Sequence, residues 1–195
     1  MIILNILNGG VYLNLNIWYE KGLTPHEYKL TLTNHSEAFS HIYSNFEIPE
    51  AETDFLDSLR KKNLRVLILA QEFCGHCMLD LPIMFRIAEA TDMPVKVLIR
   101  DENLELMDQY LTHDKRVIPI FIFINEFGNQ VAKWGPAAPE INAFTNQLKD
   151  SLPDKESPDY EAAFKQLITQ VGATFRDNSS YWNYVYNDIK NALEV

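Results

Sequence analysis

Only two cysteines occur among the 195 residues, and they stand two residues apart in Cys74-Gly75-His76-Cys77. A pair at that spacing can close a disulfide within one helical turn or share a soft metal ion, and the remaining residues discriminate between the two. A structural zinc site needs four ligands and a catalytic one three plus water. No second CxxC and no HxxxH is present, and His26, His35, His41 and His113 are dispersed, in keeping with surface or cap positions. A secreted disulfide scaffold would use more cysteines at wider spacing. The pair therefore reads as a redox couple in a reducing, cytoplasmic compartment, where such cysteines serve chemistry rather than architecture. No metal and no cofactor is expected.

Other chemistries find no support. Asn8-Gly9-Gly10-Val11 lacks the Lys-Ser/Thr of a nucleotide loop, and no GxSxG marks a serine nucleophile. The formal charge of −10 with scattered Lys and Arg and a pI near 4.9 argue against a nucleic-acid partner, because neutralising phosphates takes clustered cations. No apolar run approaches the roughly 20 residues a membrane helix requires, so no membrane partner is expected. The opening Met1 to Leu7 has neither the basic flank nor the cleavage site of a secretory signal. Gly9-Gly10-Val11 can be encoded GGA-GGT-G, in the manner of a bacterial ribosome-binding site, with Leu13 as a TTG start shortly after. Residues 1–12 are accordingly expected to be untranslated leader, and the intact mass of the native protein tests this.

The elements that must position the cysteines follow from periodicity. Val66 to Ala70 is a continuous apolar run of strand length, suited to a central strand buried on both faces. The CGHC follows it directly, and Met78 to Ala90 reads as a helix. Then come a strand over 94–99, a helix over 104–111, a strand over 120–124, a turn at Phe127-Gly128-Asn129, a strand over 130–134 and a helix over 141–152. The order βαβαββα implies an α/β mixed sheet with helices on both faces. A helix over about 52–62 precedes it. Residues 13–50 form a helical arm, with Pro25 behind a Thr24 cap and with Phe39, Ile42, Tyr43 and Phe46 making one buried stripe before Ile48-Pro49 ends it. The central domain spans 51–152. Pro153 and Pro158 mark a linker, and residues 153–195 form a C-terminal extension of two amphipathic helices, expected to pack on the core.

Strand, CGHC, Pro82 inside the next helix, Ile118-Pro119 at the hairpin entry and Gly135 just past the hairpin together resemble the thioredoxin family, over about residues 52–150. The flanking helices are similar to those of a bacterial thioredoxin-like group. The resemblance implies a thioredoxin-like fold, a central mixed β-sheet flanked by helices, with accessory N- and C-terminal helices. It implies dithiol–disulfide exchange with a disulfide-containing protein or small-thiol substrate, and an unidentified thiol or reductase as electron donor. At a helix start, unpaired N–H groups and the helix dipole lower a thiol pKa, which makes Cys74 the expected exposed nucleophile. Cys77, one turn further in, is expected to be the buried resolving thiol. A protonated His76 near the thiolate would stabilise the reduced form and make the disulfide more oxidising. CGHC is also the motif of protein disulfide isomerases, at about −180 mV against about −270 mV for thioredoxin.

By the same resemblance, Pro119 matches the family's cis-proline and sets the Ile118 backbone beside Cys74 to pair with an extended substrate. Phe73 replaces a tryptophan and keeps an aromatic wall; with Gly135 these make the expected substrate-binding set. One departure concerns the acid that thioredoxins bury on the strand before the motif: Ile68 occupies its place. Base assistance to the resolving thiol must then come from water, His76 or elsewhere. The competing expectation is a non-enzymatic module that binds a partner or senses redox state.

Overall fold

The computed structural model describes residues 4–7 and 10–194, with side-chain surroundings from Asn14 to Glu194. Four strands, β3 (Arg65–Ala70), β4 (Val95–Ile99), β5 (Ile120–Ile124) and β6 (Gln130–Trp134), form one sheet in the order β4-β3-β5-β6. β3 pairs parallel with β4 and antiparallel with β5, and β5 pairs antiparallel with β6. Both central strands are apolar without alternation, and Val66 to Ala70 and Ile120 to Ile124 are all fully buried. Such strands need cover on both faces. Truncating one of them, as in Leu67→Ala, would cost about 2–5 kcal/mol through lost transfer energy and the cavity left behind.

That cover comes from nine helices among the described residues: α1 (Asn16–Lys21), α2 (Pro25–Thr31), α3 (Ser36–Asn45), α4 (Thr53–Lys61), α5 (Gly75–Ala90), α6 (Leu104–Met107), α7 (Pro139–Asp150), α8 (Tyr160–Asp177) and α9 (Ser179–Leu193). α5 is buried around most of its circumference, packed by α3, α8 and α9. The arm and the C-terminal extension share one continuous core with the sheet, from Leu15 and Tyr28 to Val185 and Ile189.

The arm is fastened by specific bonds. α2 opens on a capping box in which Thr24 accepts from the Glu27 backbone N–H and Glu27 accepts from the Thr24 backbone N–H. Just before it, Leu23 and Val97 exchange two backbone hydrogen bonds of 2.8 Å, which occupies the outer edge of β4 and shields it from edge-to-edge pairing. At the other end of the chain, Lys190 of α9 meets Glu52 at 2.6 Å.

Two elements differ from the sequence reading. α5 begins at Gly75 rather than Met78, so the CGHC is itself the first helical turn. α6 stops at Met107 instead of reaching residue 111, and the chain then turns through His113 and Asp114, both at positive φ. Ahead of the arm, β1 (Leu4–Leu7) and β2 (Gly10–Leu13) pair as a hairpin separate from the main sheet.

Candidate active site

Strand direction gathers the site. β3 and β4 run parallel with Ala70 opposite Ile99, so the residues just beyond both strands, including Arg100, emerge at one end of the sheet. β5 runs the other way with Leu69 opposite Ile120, which brings Ile118-Pro119 to that same end. β6 again runs forward with Trp134 opposite Phe121, and Gly135-Pro136 follows it there. The carboxyl ends of forward strands and the loops around them are where open α/β sheets present ligand sites.

Cys74 is the N-cap of α5 and half-buried, and its Sγ accepts the Cys77 backbone N–H at 3.3 Å. The Cys74 thiol pKa is lowered. The largest cause is the hydrogen bond from the Cys77 thiol, helped by the backbone N–H groups of Cys77 and His76 and by the Arg100 guanidinium, against the opposing effect of burial. Cys77 is 1% exposed. Burial pushes its thiol pKa well up, and the neighbouring Cys74 and Asp80 add to the rise. Both cysteines are free. The arrangement holds one sulfur ready to be an anion and the other ready to keep its proton, the asymmetry that directed exchange requires.

The Ile118-Pro119 bond is cis, and the Ile118 carbonyl oxygen lies 3.8 Å from Cys74 Sγ. The Gly135-Pro136 bond is also cis, which the sequence did not suggest. Gly135 adopts φ +114, and a Cβ there would stand 2.3 Å from the Pro119 carbonyl oxygen. Gly135 thus packs backbone against backbone behind the Pro119 loop. Phe73, 55% exposed, presents its ring to solvent beside the cysteines.

His76 departs from the expectation. Its ring packs edge-on against the fully buried Phe175 of α8, with centroids 5.6 Å apart, and its Nδ1 is shielded from solvent without a hydrogen-bond partner. Burial lowers its pKa to about 4, with a smaller push from Lys149. At neutral pH the imidazole is uncharged, so the cation beside the thiolate is Arg100.

Several participants escaped the sequence reading. Tyr28, from the arm, is buried beside both sulfurs and donates its hydroxyl to the Gln71 carbonyl at 3.3 Å. His35, read as a surface or cap residue, donates from Nε2 to the Phe73 carbonyl oxygen at 3.2 Å, bracing the loop before Cys74. Gln71 Nε2 bonds Asp101, which pairs with Arg100 at 2.8 Å. Asp80 is fully buried on α5, and neither carboxyl oxygen has a hydrogen-bond partner. Its signal was present: Cys74, Cys77 and Asp80 follow at steps of three within an apolar helix. Among the described residues no cluster of three or more His, Cys, Asp or Glu is arranged to hold a metal ion. No helix described is long and apolar enough to cross a membrane.

Comparison with known proteins agrees with this architecture. A crystal structure of a protein of unknown function from Pseudomonas aeruginosa superposes with a TM-score of 0.62 at 14% identity, covering 90% of this chain and 94% of that one. An HIV epitope-scaffold superposes with a TM-score of 0.61, also at 14% identity, covering 92% and 96%. At such identity the likeness concerns the fold alone. No curated protein matches the sequence. A family model described as thioredoxin matches residues 22–149, beginning inside the helical arm rather than near residue 52, as suits an arm that pairs with β4 and supplies Tyr28. With about two thirds of its length matched by that model, the chain belongs to the thioredoxin family.

Proposed function

We propose that this protein is a thiol–disulfide oxidoreductase, working in the cytoplasm on protein or low-molecular-weight disulfides, with Cys74 as the attacking thiolate and Cys77 as the resolving thiol. The observation that most supports this is the surroundings of Cys74 Sγ, which accepts the Cys77 N–H at 3.3 Å on one side and lies 3.8 Å from the Ile118 carbonyl on the other. Helix-end donors favour the thiolate, and the Ile118 carbonyl beside Cys74 suits backbone pairing with an extended substrate.

In the reducing direction, Cys74 thiolate attacks one sulfur of a substrate disulfide R–S–S–R′ and expels R′–S⁻, which takes a proton from water. Cys77 then loses its proton and attacks Cys74 Sγ, expelling R–S⁻ and closing the Cys74–Cys77 disulfide. Two thiols of the enzyme are oxidised as one substrate disulfide is reduced, and an external thiol or reductase restores the pair. Phe73, exposed beside Cys74, offers the substrate an apolar wall. Gly135 holds the Pro119 loop in place from behind.

An insulin-reduction assay of wild type beside Cys74→Ser tests the proposal. Catalysis by wild type and none by the variant is the expected result. If neither protein catalyses, and Cys74 is alkylated no faster than free cysteine, the non-enzymatic reading prevails.

A further inference from the structure

We propose that the Asp80 carboxyl is the proton donor and acceptor for Cys77, giving up a proton when the Cys74–Cys77 disulfide opens and regaining it when the disulfide closes. The inference rests on the exchange reading above and adds to it the group that handles the resolving thiol's proton.

Three observations converge. Asp80 lies three residues beyond Cys77 on α5, and residues at that helical spacing are neighbours on one face. Both groups are sealed from solvent, with Asp80 0% and Cys77 1% exposed. Neither Asp80 oxygen has a hydrogen-bond partner, so an ionised carboxylate there would lack the donors that a buried charge requires.

The charged and titratable groups around the pair act in one direction. On α5 itself, Cys74 repels a carboxylate at position 80, and across the helix interface so does Asp188 of α9. Asp188 is itself occupied by the Trp134 indole N–H at 2.7 Å. Tyr28 and Arg100 face the two sulfurs. The resting carboxyl is therefore neutral and holds a proton one helical turn from the buried Cys77 thiol; the two are not hydrogen-bonded at rest, and transfer takes a side-chain rotation that brings them into contact.

The balance is simple. When an external thiolate R–S⁻ attacks Cys74 Sγ of the disulfide, the Cys74–S–S–R bond forms, the Cys74–Cys77 bond breaks and the electron pair falls on Cys77 Sγ. That sulfur takes the Asp80 proton, and the carboxylate left behind recovers one from water. A second R–S⁻ releases R–S–S–R and leaves Cys74 as thiolate. The reverse sequence applies when Cys77 closes on a mixed disulfide at Cys74: the mixed disulfide has neutralised Cys74, its repulsion of a carboxylate at Asp80 is gone, and Asp80 ionises to receive the Cys77 proton.

The test mixes reduced protein with one equivalent of 2,2′-dithiodipyridine. The first thiopyridone is released as Cys74 attacks, the second as Cys77 displaces it, so the two steps are timed separately. In Asp80→Asn the first phase should stay within about twofold of wild type, while the second slows about ten- to a hundredfold near neutral pH, at the lower end of general acid–base effects. The wild-type second phase should also level off below the ordinary thiol pKa of about 8.5, whereas the variant's continues to rise tenfold per pH unit through that range. This profile in wild type requires no variant to fold. A second phase within twofold of wild type, with the same pH profile, overturns the role of Asp80. Failure of wild type itself to release a second equivalent refutes the exchange reading instead.

Discussion

Replacing Asp80 with asparagine should make the protein progressively more stable than wild type as pH rises. Asp80 has no exposure and no hydrogen-bond partner, and burial, Cys74 and Asp188 all raise its pKa well above the ordinary aspartate value. A raised acid contributes stability that is fully present below its unfolded pKa of about 3.9 and is lost as pH rises toward the folded value. Over that window the folded chain binds one more proton at Asp80 than the unfolded chain, and stability falls by about 1.4 kcal/mol per pH unit. Asparagine matches the neutral carboxyl in shape and does not titrate. The stability of Asp80→Asn minus that of wild type should therefore grow as pH rises above the unfolded value and level off once pH passes the raised folded value. Wild type alone would hide the effect, because His76 is depressed from 6.5 to about 4 and contributes stability that is present above the upper value and lost as pH falls through the lower one. The two slopes oppose each other between pH 4 and 6.5, and subtraction removes the His76 slope from the comparison. Urea unfolding followed by circular dichroism at three pH values measures the difference. A constant difference across that range would mean that Asp80 is ionised in the folded protein, and the argument for its neutral carboxyl would fail.

Further expectations follow from single contacts. Arg100→Gln removes the guanidinium that favours the Cys74 thiolate and should slow Cys74 alkylation about two- to fivefold at neutral pH; an unchanged rate would show that the backbone donors suffice without it. His76→Phe should move the reduction potential by less than about 15 mV, half of what a tenfold change in equilibrium constant requires. A shift of about 30 mV or more toward a more reducing couple would show that the imidazole is charged after all. Gly135→Ala must accommodate a Cβ 2.3 Å from the Pro119 oxygen at φ +114. It should cost about 1–3 kcal/mol in urea unfolding and slow exchange as the Pro119 loop shifts; wild-type stability would contradict the close packing.

Elements whose character is set locally were legible in the sequence. The unbroken apolar run of β3 can only be satisfied between two covered faces, and the Thr24-Pro25 start of α2 specifies its own cap. Boundaries were less so: α6 ends at Met107, its end tightening through bonds from the Gln109 and Tyr110 N–H groups to the Leu106 and Met107 carbonyls before the chain turns at His113 and Asp114. The cysteine pair and Pro119 stood out through spacing. Arg100, Tyr28 and His35 did not, because strand register and an arm far away in sequence bring them to the thiols. The charge state of His76 depends on Phe175, on a helix far along the chain, so a motif alone could not supply it. Asp80 was visible as an acid at a three-residue step from Cys77, but only its complete burial without a partner gives it significance.

The central claim is that Cys74 and Cys77 form an exchange couple, and equilibration of the protein in graded thiol–disulfide buffers, with the thiols trapped and counted by mass, tests it most directly. The account predicts a two-electron transition that Cys74→Ser abolishes, with a midpoint between about −270 and −180 mV, the range of exchange catalysts. Absence of an intramolecular disulfide, or a midpoint below about −300 mV as in inert structural bridges, would contradict it.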